Sequence, residues 1–178
     1  MSRNHHNISP HTQKVAACGI LGALALVLSA LELMIPPLPM LPPGAKLGLA
    51  NIVTMFTAES LGLGPALAIA VVKGLFAGMT RGITAMLMSL SGGLLSTFVM
   101  WLLLKKVRGF GLIGVGIAGA LCHNAAQLGV AALLTTPAVI WYTPWLILFG
   151  ILTGTLTGIV LKLTAPALSR IPGLSFYR

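Results

Sequence analysis

The charges of this chain are few, and long uncharged runs separate them. No Asp, Glu, Lys or Arg occurs over residues 82–104, and none occurs over 109–161. An apolar stretch of about 20 residues crosses the roughly 30 Å hydrocarbon core of a bilayer as one helix. Such a helix satisfies its own backbone polar groups, as a dry environment requires. Over the whole chain 57% of residues are hydrophobic and 7% are charged, with eleven Lys or Arg against two acids, Glu32 and Glu59. Soluble domains carry about 25% charged residues. An ordinary soluble domain, a disordered tail and a secreted disulfide scaffold are therefore excluded. The expected fold class is all-α, a polytopic membrane helix bundle.

Charges and prolines divide the chain into six expected spans, at 12–35, 46–61, 65–79, 83–104, 111–134 and 144–163. They form one membrane domain over 12–165, between an N-terminal tail at 1–11 and a C-terminal tail at 166–178. The basic start followed by an apolar run resembles a signal peptide. However, residues 15–31 are uncharged over a longer run than a typical signal core, and no small-x-small cleavage site follows. The segment reads as a retained first helix. PPLPMLPPG at 36–44 contains five prolines, which forbid a regular helix. The second segment is short, so a five-span chain with a re-entrant second segment is the alternative. Pro65 is placed to open a helix, and Thr135, Thr136, Pro137 and Pro144 mark the last break.

Six spans put both termini on one side. Arg3, Lys14, Lys105, Lys106, Arg108, Lys162, Arg170 and Arg178 share that side, which the positive-inside rule makes the cytoplasm of a bacterial cell membrane. The formal net charge of +9 is thus explained by loop charges rather than by a nucleic-acid surface. Lys46, Lys73 and Arg81 are the exceptions. Trp141, Tyr142 and Trp145 fall at the outer end of the last span, either as an interface belt or as a stacking surface for a ligand. Cys18 and Cys122 lie in apolar runs and read as packed thiols.

Small residues at four-residue spacing let helices approach closely in lipid. Gly150, Gly154 and Gly158 form such a series, as do Gly74, Gly78 and Gly82, and Gly19 with Ala23. Internal packing accounts for the first two. For Gly19 and Ala23, docking of a partner helix is the alternative.

A charge at membrane depth costs about 2.5 to 3.5 kcal/mol on insertion scales, so it faces a cavity or a partner. Lys73, Ala77 and Arg81 share one helix face, Asn51, Met55 and Glu59 another, and His123 and Gln127 a third with Asn124 beside them. The alternating directions of the spans bring Glu32, Lys46, Asn51, Arg81, His123, Asn124 and Gln127 to one outward-opening polar pocket, with Lys73 as its floor. The structural alternative is ion pairing of Glu32 with Lys46 or Arg81 and of Glu59 with Lys73, snorkelling of Lys46 and Arg81 to headgroups, and an interhelical hydrogen bond at His123. As a set, three cations against one nearby acid suit an anionic small molecule bound through carboxylate or phosphate. The loop at 36–44 lies over the same end as a possible lid.

The chain has no GxxxxGK[ST] phosphate loop, no HExxH and no aspartate. Magnesium-diphosphate chemistry uses carboxylate-rich sites, and Glu32 and Glu59 are far apart. No metal, cofactor or catalytic residue is expected.

The run LELMIPPLPMLPPGAKLGLANIVTMF at 31–56, SLSGGLLS at 89–96 and HNAAQL at 123–128 resemble the signature of the Gx transporter family, whose members are often labelled heptaprenyl diphosphate synthase component I. The resemblance covers roughly 12–165. That family resembles the substrate-binding (S) components of energy-coupling factor transporters. The resemblance implies a six-helix membrane protein that holds a micronutrient near the outer face, under the loop after its first helix. It also implies docking of a coupling transmembrane protein with two ATPases against small residues of the first helix, here Gly19 and Ala23.

Three functions are therefore open. The first is capture of a small, anionic, vitamin-like or isoprenoid- or quinone-related compound for an importer. The second is a noncatalytic membrane subunit of a prenyl diphosphate synthase. The third is an autonomous small-solute carrier.

Overall fold

A computed structural model describes residues 9–34, 48–107 and 109–168. Six α-helices follow one another: α1 Pro10–Leu33, α2 Asn51–Ser60, α3 Leu63–Arg81, α4 Ile83–Lys106, α5 Leu112–Leu134 and α6 Thr143–Leu168. A 3-10 turn, Pro137–Tyr142, joins α5 to α6, and there is no strand among the described residues. The expected loop at 36–44, Lys46 and both chain ends lie outside the described residues.

Among the described residues, five helices are long and apolar enough to cross a membrane: α1, α3, α4, α5 and α6. The second expected span, 46–61, is instead the ten-residue α2. At 1.5 Å per residue α2 covers about 15 Å, half the hydrocarbon thickness. It sits in the middle of the bundle, with nine of its ten residues buried, and it touches every other helix. Five long helices thus surround a short polar one. α1 is the peripheral member: it packs on α2 and α3 alone among the described elements.

The chain turns where its glycines permit. Gly82 is both the C-cap of α3 and the N-cap of α4, at φ 88°. This left-handed conformation is cheap for glycine alone, so one residue reverses the chain. Gly62, at φ 93°, does the same between α2 and α3. Gly82 therefore departs from the expected packing series: a β-carbon there would meet open space, whereas one on Gly78 would press on the Met86 side chain. α1, α3 and α5 run toward one end of the bundle, marked by Arg81, and α4 and α6 run back toward the end marked by Lys105.

Packing is tightest between α5 and α6. A β-carbon on Gly154 would stand 2.6 Å from the Gly116 carbonyl oxygen, and one on Gly158 would stand 2.7 Å from the Ile113 nitrogen. The two backbones therefore touch, as small residues allow in lipid. Gly19 differs: a β-carbon there would meet nothing within 4 Å, and Gly19 and Ala23 are both exposed on α1. Internal packing does not explain that face.

The core of the bundle gathers Met55, Phe56, Met100, Val115 and Leu161. Polar side chains are also turned inward: Thr54, Thr57, Ser96, Thr97 and Thr157 are buried, while Leu24, Leu75, Phe98 and Leu152 are exposed. Two of these hydroxyls return to their own helix, Thr57 to the Val53 carbonyl at 2.7 Å and Thr157 to that of Thr153 at 2.8 Å, while the Thr97 hydroxyl has no hydrogen-bond partner among the described residues. Apolar surfaces facing outward suit acyl chains, where polar groups must find partners inside the protein.

Candidate functional site

The polar cluster is built around the start of α2. Glu32, in the last turn of α1, is buried. Its Oε1 accepts from the backbone amides of Gly48 and, at 3.0 Å, Leu49. These amides belong to the turn that starts α2, in which Asn51 N donates to the Gly48 carbonyl at 2.9 Å. Gly48 has φ 82°, and a β-carbon on it would stand 2.8 Å from Asn51 Nδ2 and 3.6 Å from the His123 ring. Glu32 thereby ties α1 to α2 at a place where only glycine fits.

Asn51 faces α3, where the buried Lys73 donates through Nζ to Asn51 Oδ1 at 2.9 Å. Lys73 lies about 12 Å of helix before Arg81, so its ammonium is well inside the bundle. Lys73 and His123 lie within electrostatic reach of each other, and Arg81 is attracted to Glu32. Arg81 itself is half-buried at the end of α3.

His123 and Gln127 occupy one face of α5, and their Nε2 atoms are 2.7 Å apart. The donor and acceptor roles in this pair depend on the His123 tautomer. Nδ1 lies against the backbone of Gly92 in α4. The other amide atom, Gln127 Oε1, is buried without a hydrogen-bond partner. A buried acceptor in that state costs about 1 to 3 kcal/mol, which a bound donor would relieve.

The expected residues do not all meet. Glu32, Asn51, Lys73, His123 and Gln127 share one region, and Arg81 reaches it by charge. Asn124 turns to α6 instead and donates to the Leu146 carbonyl at 2.7 Å, tying the two helices together. Lys46 lies outside the described residues. Glu59 is at the far end of α2, about 12 Å of helix from Asn51, whereas Lys73 reaches Asn51. Sequence reasoning overlooked Gly48 and Gly92, which make room for His123. Their signal was present, because both lie in the quoted motif segments. The described parts of those three segments, 31–34 with 48–56, 89–96 and 123–128, come together here.

The described residues hold no group of three or more His, Cys, Asp or Glu placed to bind a metal. Cys18 and Cys122 are both free thiols. The aromatic residues Trp141 and Trp145 are exposed at the Arg81 end.

Long apolar helices around an internal polar cluster define a multi-pass membrane protein. The family model for heptaprenyl diphosphate synthase component I matches residues 21–164, and the chain belongs to that family. None of the curated proteins and none of the solved structures matches it.

Proposed function

We propose that this chain is the substrate-capturing membrane component of an importer of the energy-coupling factor type. It takes a small anionic compound, vitamin-like or related to isoprenoids and quinones, from outside a bacterial cytoplasmic membrane. The Arg81 end faces outward and both termini are cytoplasmic, with α2 completing the sixth pass together with the turn before it. The observation that carries this reading is the inward convergence of Lys73, Asn51, His123 and Gln127 below Glu32 and Arg81. A carboxylate or phosphate on the compound pairs with the Lys73 ammonium and the Arg81 guanidinium. Gln127 Oε1 accepts a hydrogen from an O–H or N–H group elsewhere on the compound, and Asn51 and His123 fix its orientation.

The chemistry is binding, with no bond made or broken and no cofactor. Energy comes from partners, a coupling transmembrane protein and two ATPases, which dock on the exposed Gly19 and Ala23 face of α1. The test is mass spectrometry of small molecules that co-purify with the protein, followed by calorimetry of the identified compound against the wild type and Lys73→Met. A bound anion whose affinity falls in the variant supports the reading. Equal affinity in a folded variant removes Lys73 from the site.

The family's description favours a second reading, a noncatalytic membrane subunit that anchors a prenyl diphosphate synthase. Co-purification separates the two: an ATPase pair supports import, and a soluble synthase supports anchoring.

A further inference from the structure

A second polar pocket opens at the Lys105 end of the bundle, independent of the cluster around Asn51. It encloses about 170 Å³ between the start of α1, the end of α2 and the end of α4. Lys14 and Lys105 are exposed at its rim, and Glu59 and Ser60 are buried within it. Trp101 forms a wall, and the Lys105 ammonium stands 5.3 Å from the centre of its ring. α4 has 24 residues, about 36 Å of helix, which exceeds the roughly 30 Å hydrocarbon core. Trp101 and Lys105 lie in its last turns, and tryptophan and lysine are favoured at the level of lipid headgroups.

Most basic sites at a membrane surface carry cations alone and attract any anionic lipid. This pocket differs because a buried carboxylate lies behind two lysines. We infer that it binds a phosphate ester carrying a primary ammonium, as in an ethanolamine phospholipid headgroup. The phosphate lies between Lys14 and Lys105, and the ammonium extends inward to Glu59 and the Ser60 hydroxyl. Three N–H donors on a primary ammonium suit a carboxylate and a hydroxyl. A choline headgroup has the same charges but no N–H to donate, and a glycerol headgroup has no cation.

The experiment is native mass spectrometry of the full chain in detergent, titrated with an equimolar mixture of phosphatidylethanolamine, phosphatidylcholine and phosphatidylglycerol of identical acyl chains. The wild type is expected to retain the ethanolamine lipid about tenfold over the choline lipid, the scale of one charged hydrogen bond. Glu59→Gln should erase that preference while Lys105→Gln weakens retention of all three. Indiscriminate retention by the wild type overturns the inference whether or not the variants fold. So does a preference that survives in Glu59→Gln. Soluble phosphoethanolamine, added as competitor, separates the sources: displacement of the lipid at equal concentration identifies a soluble ligand as the occupant, and its failure identifies the lipid.

Discussion

Gly92 of α4 and His123 of α5 stand so close that a β-carbon on Gly92 would lie 2.9 Å from the His123 ring and 3.0 Å from its carbonyl oxygen. The imidazole is thus positioned by an absence of side chain, and Gln127 holds it on the other side through Nε2 at 2.7 Å. Gly92→Ala should push the ring toward Gly48 and Asn51. Overpacking of this kind costs about 1 to 3 kcal/mol. The expected outcome is a lower melting temperature in detergent and weaker binding of the co-purifying compound, with His123→Ala in the same background restoring part of the stability. A Gly92→Ala variant as stable as the wild type would show that α4 and α5 can separate freely at this level.

Asn51 supplies the acceptor for the buried Lys73. Asn51→Leu keeps the branched shape but leaves the ammonium without that oxygen, a change worth about 1 to 3 kcal/mol. Lys73→Met in addition removes the charge that needed it. The double variant is therefore expected to be more stable than Asn51→Leu alone, a non-additivity that a double-mutant cycle of denaturation measurements reads directly. Simple additivity would mean that the two side chains do not depend on each other.

Much of this architecture was legible in the sequence, and the rest was lost for physical reasons. The fourth span, expected over 83–104, runs Ile83–Lys106, because a glycine turn and a lysine pair bound a charge-free run. The second, expected over 46–61, begins only at Asn51. Glu32 engages the amides of Gly48 and Leu49, and Gly48 adopts a left-handed backbone. That boundary is set by a residue from another helix, which no local pattern records. Lys73 and Asn51 were readable as inward-facing members of one cluster because of helical spacing, but their hydrogen bond was not, since the sequence offered Glu59 as the partner of Lys73. Asn124 was misplaced because its spacing permits two neighbours, and α6 offered the Leu146 carbonyl. The role of Gly82 as a turn rather than a packing residue depends on its φ, which spacing alone does not reveal.

Gly82 carries the whole reversal between α3 and α4 at φ 88°. A β-carbon there has open space around it, so the cost of Gly82→Ala is conformational and not steric crowding by neighbours. About 1 to 3 kcal/mol is expected for a non-glycine residue held in such a backbone. Gly154→Ala, in contrast, is crowded by the Gly116 carbonyl and by Ile117 of α5, and it should be the more damaging of the two because backbone must move. Thermal denaturation of both variants in one detergent gives the order; a milder effect at Gly154 would mean that α5 and α6 are not in backbone contact.

The exposed face of α1 gives the sharpest separation between folding and coupling. A β-carbon at Gly19 meets nothing within 4 Å, and α1 packs on α2 and α3 alone among the described elements. Gly19→Leu and Ala23→Leu should therefore leave the melting temperature of the isolated protein unchanged, and ligand affinity with it, because Glu32 lies about 14 Å of helix beyond Ala23. If this face receives a partner helix, the added bulk prevents close approach of the backbones. Uptake by cells and recovery of the ATPase pair on purification should then both fall while the isolated protein binds normally. Normal uptake in the Gly19→Leu, Ala23→Leu double variant would place the docking surface elsewhere, and a lowered melting temperature would show that this face packs within the bundle after all.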